Sequence, residues 1–296
     1  MRIKKAVFPV AGMGTRFLPA TKSMPKEMLP VFDKPIIQYA VEEAIASGIE
    51  EIIFVTGQGK SSLEDHFDRS YELENTLRER KKNELLEAIQ SVVPKTGTII
   101  YTRQPEPFGL GHAIWCARNI VGDEPFAVLL ADDLIQSETP VLGQMINVFD
   151  RLRASIAAVI EVPPEETSKY GIIDVAEALG DNVVRINGLV EKPEQDKSPS
   201  NMAIIGRYIL TPKIFEHLAE KNVGAGDEIQ FTDAMSCLLR EQPILGYQFA
   251  GNRFDCGDKA GFQMANLAFS LEWPEMREQL LPFMKKIVRN ELRHET

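Results

Sequence analysis

Phe8-Pro-Val-Ala-Gly-Met-Gly-Thr-Arg-Phe-Leu-Pro-Ala-Thr-Lys-Ser-Met-Pro-Lys-Glu-Met-Leu-Pro30 is the stretch on which the reading of the fold turns. An apolar strand, Ala6 to Val10, runs straight into a loop holding Gly12 and Gly14. Glycine lets a backbone approach a ligand closely and adopt positive φ, so its N–H groups can converge on an anion. Three cations follow: Arg16, Lys22 and Lys26. An arginine grips phosphate oxygens as a fork, whereas a lysine acts as a point charge. Pro19, Pro25 and Pro30 forbid one continuous helix. The expectation is a rigid, basic, extended loop at the end of a strand, shaped for a polyphosphate.

Outward from that loop the chain alternates. Pro35 to Ser47 has the pattern of an amphipathic helix stopped by Gly48, and Ile52 to Thr56 that of a buried strand. Residues 61–93 are charged with helical periodicity; Thr98 to Thr102 and Phe126 to Ala131 are strands, Leu110 to Ile120 and Pro140 to Arg153 helices. Continuous apolar strands between helices predict a Rossmann-like, mainly parallel sheet covered on both faces, with ligands beyond the carboxyl ends of its strands. Gly12 to Arg16, Gln104 to Gly111 and Asp132-Asp133 all fall there. The second half is richer in strands: Ile156 to Val162, Ile172 to Val175, Val183 to Val190, Ala203 to Leu210 and Leu245 to Phe249. Helices are expected over Gln230 to Arg240, Lys259 to Leu271 and Glu275 to Arg293. The chain divides into a nucleotide-binding half at about 1–155, a smaller β-rich part at about 156–258, and C-terminal helices over about 259–296.

With 296 residues the chain can build one large core. Its net charge of −10 disfavours non-specific contact with nucleic acid or an anionic membrane. Residues 1–35 nonetheless hold seven basic side chains (Arg2, Lys4, Lys5, Arg16, Lys22, Lys26, Lys34) against two acids, Glu27 and Asp33, which fits a focused site for a small anion. Three widely spaced cysteines suggest no disulfide framework or zinc pattern, and with no visible signal peptide or apolar span the expected location is the cytoplasm.

The glycine loop alone does not choose a ligand. A nicotinamide-binding loop needs a third glycine opening a helix and an acid after the second strand; here Arg16-Phe17 and Thr56-Gly57-Gln58 stand in those places. A Walker loop is absent. The whole run from Gly12 to Lys26, however, resembles the signature of the sugar-1-phosphate nucleotidyltransferases, and Glu27-Met-Leu-Pro30 is similar to its bacterial UTP–glucose-1-phosphate uridylyltransferase branch. Gly109-Leu-Gly-His-Ala113, Leu129-Leu-Ala-Asp-Asp133, Tyr170-Gly171, Val190-Glu-Lys-Pro193 and Phe254-Asp-Cys-Gly257 follow in the family's order, so the resemblance covers nearly the whole chain.

The resemblance implies a nucleotide-diphospho-sugar transferase fold and transfer of UMP from UTP to glucose 1-phosphate, with Mg²⁺ as cofactor. It assigns the nucleotide to Ala11, Gly12, Gly14, Thr15, Arg16, Lys26, Gln104 and Gly109, and the sugar to Gly171, Glu191 and Lys192. Arg16, Lys26, Asp132 and Lys192 would carry catalysis, and Asp132 would hold the metal with Asp255 as second ligand. Asp133 competes with Asp132, and Asp255 could instead cap a helix or accept backbone hydrogen bonds. Glu191 and Lys192 would face opposite ways on a regular strand, unless Pro193 bends it. A phosphate monoester is already largely dianionic near neutral pH, so four scattered histidines without a base–nucleophile pair are no obstacle. A homodimer or homotetramer is implied. Rivals are a thymidylyltransferase, a non-catalytic paralogue and, last, a dehydrogenase.

Overall fold

Strand β1 (Lys5–Val10) sends Phe8 and Val10 into one apolar core and Val7 into a second, because side chains alternate across a pleated strand. Both faces must therefore be covered, and the sheet grows around this strand. In the computed structural model, which describes residues 2–95, 97–220 and 228–294, short strands β2 (Pro30–Val31) and β3 (Lys34–Pro35) lead to helix α1 (Ile36–Ala46) and strand β4 (Glu51–Thr56). Helices α2 (Ser61–Phe67), α3 (Tyr71–Glu79) and α4 (Asn83–Val92) precede β5 (Ile99–Arg103). Then come α5 (Gly109–Cys116), α6 (Arg118–Val121), β6 (Phe126–Leu129), β7 (Asp133–Gln136), α7 (Val141–Leu152) and β8 (Ser155–Glu161). The long hairpin β9 (Gly171–Gly180) and β10 (Val183–Glu191) is followed by β11 (Met202–Leu210), α8 (Ile214–Ala219), α9 (Phe231–Leu239) and β12 (Ile244–Gln248). Strand β13 (Asn252–Asp255), α10 (Lys259–Ser270) and α11 (Pro274–His294) close the described chain.

Nine strands form one mixed sheet in the order β5-β4-β1-β6-β11-β8-β12-β10-β9. The β5–β4–β1–β6 block is parallel, as is β8–β12, while β11 runs antiparallel to both β6 and β8. The strands of the second half are thus continuous with those of the first, and the β-rich part is an extension of one sheet. Helices α1 and α7 supply residues to one core, and α5, α8 and α9 to the other.

The pairing of β7 with β13, Asp133 opposite Asp255, was not legible as strand in the sequence. With β2, α1 and α10 it encloses a third cluster of Leu29, Val31, Ile36, Leu134, Cys256, Ala265 and Phe269. Phe17 and Met24 pack against this cluster and Met28 against the first core, so these side chains hold the loop.

Arg207 joins the layers. It is fully buried in β11, where the pairing with β8 is irregular between Ile204 and Tyr208. Its Nε and Nη2 donate to Glu43 of α1, Nη1 to the carbonyls of Leu130 (2.9 Å) and Gly206 (3.0 Å), and Nη2 also to that of Asp133 (2.9 Å). Every N–H of the fork has an acceptor, the condition under which a buried charge is tolerated. Arg207→Met should lower unfolding stability in a denaturant titration by about 3 kcal/mol, because Glu43, partly buried, is left without its cation. The Glu43→Leu/Arg207→Met pair should recover part of that loss; an unchanged midpoint in the single variant would show that the clamp holds nothing.

Candidate active site

The chain leaving β1 is not the extended loop expected from its prolines. It forms three short 3-10 turns, Thr15–Phe17, Ala20–Lys22 and Lys26–Met28. Pro19 and Pro25 immediately precede the second and third, where a fixed φ suits the entry to a turn and the missing N–H is not needed. Gly14 has φ of 65°, and a Cβ there would lie 3.0 Å from Cβ of Lys26. The glycine is therefore required for the loop to fold back and bring Lys26 over it. Thr21 fastens the fold-back by donating its hydroxyl to the Gly14 carbonyl, 2.7 Å.

Lys26 Nζ donates to Asp132 Oδ2 at 2.5 Å. Burial opposes the charge on each partner, but mutual attraction outweighs it: the Lys26 ammonium is held above the usual lysine value and the Asp132 carboxyl below the usual carboxylate value. Arg16 stands beside them, its Nη1 donating to the Gly257 carbonyl at 3.0 Å. The remaining N-terminal cations are spent elsewhere. Lys4 pairs with Glu50, Lys34 with Glu42, and Lys5 with Glu124 and the C-terminal carbonyls of α6. Lys22 lines none of the cavities described below.

Three cavities meet at this junction. The first, about 420 Å³, is lined by Ala11, Gly12, Lys26, Gln104, Gly109 and Asp132, with Glu228 at its side. Gln104 is buried, and its Nε2 donates to the Gly109 carbonyl at 3.0 Å and lies 3.3 Å from His112 Nδ1. His112 thus orients the glutamine, in keeping with a structural role. The second cavity, about 230 Å³, contains Arg16, Asp132, Gly171, Glu191, Lys192 and Asp255. The third, about 140 Å³, lies between them and is lined by Gly12, Gly14, Thr15, Arg16 and Lys26. The expected residues all line these cavities: the loop after β1, Gln104, Gly109 and Asp132 lie beyond the carboxyl ends of β1, β5 and β6, and β9, β10 and β13 bring Gly171, Glu191, Lys192 and Asp255 to them.

Glu191 and Lys192 share the second cavity because Lys192 has φ of 44°, a break in strand geometry one residue before Pro193. Thr232 of α9 donates to Glu191 Oε2 at 2.6 Å, and Lys192 Nζ lies 3.4 Å from Oε1. Gly171 keeps the neighbouring strand clear: a Cβ there would sit 3.2 Å from Oε2.

Asp132 and Asp133 part company. Asp133 is turned inward, accepting from the Gly206 amide (2.9 Å) and from Nε and Nη2 of Arg253. Burial opposes the charge of Arg253, but Asp133 and Asp255 hold its guanidinium above the usual arginine value. Arg253 also donates to the Tyr170 hydroxyl at 2.9 Å, tying the β7–β13 ribbon to the wall of the second cavity. Asp255 accepts from the Gly257 amide at 2.9 Å, and the cap of α10 is Asp258. A Cβ on Gly257 would stand 3.0 Å from both Asp132 Oδ2 and Asp255 Oδ1, so the two carboxylates face a common gap that only glycine leaves open. Among the described residues no group of three or more acidic, histidine or cysteine side chains is placed to hold a metal. Two hard oxygen donors beside an anion site suit Mg²⁺, which binds through one or two carboxylates and takes its other ligands from phosphates and water.

Arg253, Thr232, Arg207 and Lys60 escaped the reading of the sequence, and Glu27 entered it only as a counted acid and as part of a family motif. Only Arg207 carried a signal, a lone charge inside the otherwise apolar run Met202 to Leu210. Cys256 is buried, and burial together with Asp132, Asp255 and Asp133 pushes its thiol up to about 12. Iodoacetamide at pH 8 should leave Cys256 unmodified in the folded protein and alkylate it after denaturation. Peptide mapping that found it labelled in the native state would contradict this environment.

Comparison with known proteins agrees with the geometry. The family described as nucleotidyl transferase matches residues 5–270. The UTP–glucose-1-phosphate uridylyltransferase of Bacillus subtilis (strain 168) is 52% identical over 290 residues, covering 98% of this chain and 99% of that protein. A UTP-bound structure of the Acinetobacter baumannii UGPase superposes with a TM-score of 0.88 at 44% identity, covering 95% of this chain and 98% of the other. A UDP-glucose pyrophosphorylase complexed with UDP-glucose gives 0.83 at 48% identity, covering 92% and 100%. The chain belongs to the nucleotidyl transferase family, within its UTP–glucose-1-phosphate uridylyltransferase branch.

Proposed function

We propose that this chain transfers UMP from UTP to glucose 1-phosphate, releasing pyrophosphate and forming UDP-glucose. One observation carries the reading. A cationic and acidic junction, Arg16, Lys26 and Asp132, stands between a cavity with an amide-bearing wall and a cavity with a carboxylate–lysine wall. The full-length similarity to uridylyltransferases supports the same substrates.

UTP enters the larger cavity. Uracil presents a carbonyl–NH–carbonyl edge, which the Gln104 side chain and the backbone of Ala11–Gly12 and Gly109 can meet with both donors and acceptors. The triphosphate runs along Gly12 to Thr15 towards Arg16 and Lys26. Glucose 1-phosphate enters the second cavity, where the Glu191 carboxylate accepts from sugar hydroxyls, Gly171 gives the ring room, and Lys192 reaches the phosphate. An oxygen of that phosphate bonds to the α-phosphorus of UTP as the bond to the β-phosphate oxygen breaks, and its electron pair leaves with pyrophosphate. The attacking oxygen is already deprotonated, so the chain supplies alignment and positive charge rather than a base. Lys26 must exchange Asp132 for phosphate as the nucleotide arrives. Asp132 and Asp255 would hold Mg²⁺, which when bound neutralises phosphate oxygens. The division at residue 155 is then only approximate, since Arg16 and Asp132 of the first half also wall the sugar cavity.

The enzyme acts in the cytoplasm as a homodimer or homotetramer. The exposed apolar side chains Phe283, Ile287 and Val288 of α11 support such an assembly, and among the described residues no helix is long and apolar enough to cross a membrane.

Pyrophosphate release should be measured with glucose 1-phosphate, Mg²⁺ and each nucleoside triphosphate in turn. UTP should exceed dTTP by about tenfold or more, the worth of one lost hydrogen bond in a site that uses the ribose hydroxyl. EDTA should abolish release, and Mg²⁺ should restore it. Faster release with dTTP would move the chain to a thymidylyltransferase activity; no release with any triphosphate would remove the enzymatic reading.

A further inference from the structure

Behind the glycine loop, a lysine and a glutamate are buried against each other. Side-chain exposure is 6% for Lys60 and 2% for Glu27. Lys60, immediately before α2, donates from Nζ to Glu27 Oε2 at 2.7 Å and to the Gly12 carbonyl at 2.7 Å. Lysine is among the residues least often fully buried, and a buried ion pair is weak evidence for stability because apolar side chains often serve as well. The second bond of the ammonium is the informative one, since it ends on the backbone of the loop that faces the nucleotide-side cavity.

The Gly12–Met13 peptide is planar and trans, so a carbonyl held at Lys60 turns the Met13 N–H to the opposite side. Gly12 has no Cβ to restrict its torsions, and the loop needs an external anchor to keep that peptide from rotating. Glu27, the other acceptor, directly follows Lys26 in the Lys26–Met28 turn. One ammonium therefore fixes both the loop and the turn that presents the phosphate lysine. It also occupies a carboxylate that lines the same cavity and already acts on the Lys26 ammonium.

We propose that Lys60 is a positioning residue for the nucleotide, holding the Gly12–Met13 peptide and the Lys26 turn in the arrangement that receives a triphosphate. This rests on the uridylyl-transfer reading above. Lys60 itself touches no substrate; it acts through Gly12 and Glu27.

The test compares Glu27→Gln with Glu27→Gln/Lys60→Met. The single variant keeps an acceptor for Lys60 and keeps the bond to Gly12. The double variant removes both charges together, so no unpaired ion is left inside. UTP binding is read by calorimetry, and kcat and KM are measured for each substrate. The double variant should bind UTP about tenfold or more weaker than Glu27→Gln, the worth of a charge-assisted hydrogen bond. The KM for glucose 1-phosphate should stay within about twofold in both, since the sugar wall is built from other elements. UTP binding by the double variant equal to that of Glu27→Gln would overturn the proposal. Parallel loss of both substrates, or failure of the double variant to fold, would assign Lys60 to folding alone and overturn it as well. A parent protein that binds no UTP would instead overturn the uridylyl-transfer reading.

Discussion

Two carboxylates adjacent in sequence cannot both be buried in one place without cost, and at the end of β6 they are separated by direction. Asp133 turns inward to Arg253 and the Gly206 amide, while Asp132 turns outward to Lys26. Most of the site follows from this division. Because Asp133 is held by a residue of β13, the β7–β13 ribbon is pinned, and the register that sets Asp133 opposite Asp255 delivers the second candidate ligand beside Asp132. Because Asp132 is free of that task, its carboxylate can meet the N-terminal loop. The Asp132 carbonyl accepts from Cys256 N at 2.7 Å, so the backbone is fixed as well.

The scaffold behind this turn is polar, buried and fully paired. Arg207 bonds the carbonyls of Leu130 and Asp133 on either side of Ala131 and Asp132, and Glu43 answers its charge from α1. A guanidinium in such a place costs more in desolvation than a salt bridge alone returns, and it is sustained by six contacts in one planar fork. What the arrangement provides is position: the turn carrying Asp132 is held from the core side, so its outward carboxylate is available to cations and phosphate. Lys60 holds the facing loop by the same means, with one buried ammonium bonded to backbone and to a counter-ion.

Much of this was legible in the sequence. The apolar runs of β1, β4 and β6 gave no other reading than buried parallel strands, and their carboxyl ends are where the site lies. The ribbon was not legible, since Asp133–Gln136 and Asn252–Asp255 are four residues each, with two and three of the four polar, and no alternation long enough to register as strand. The loop after β1 is not extended, because proline excludes a long helix but permits a single turn, and three such turns fit among the prolines. Whether Glu191 and Lys192 share a face depended on one backbone angle at Lys192, which no side-chain pattern reveals. Gln104 would have passed as an ordinary loop residue without the family resemblance. Pairings that span the chain, such as Arg207 with Glu43, are products of topology.

The division between the two aspartates is tested most directly by comparing Asp132→Asn with Asp133→Asn, measuring pyrophosphate release and thermal unfolding on the same preparations. The account predicts that Asp132→Asn folds with near-parent stability and loses turnover, while Asp133→Asn melts markedly lower because Arg253 keeps its burial and loses the nearer of its two counter-ions, with only Asp255 left at 3.4 Å. An Asp132→Asn enzyme with parental turnover, or an Asp133→Asn enzyme that is fully stable yet inactive, would contradict it.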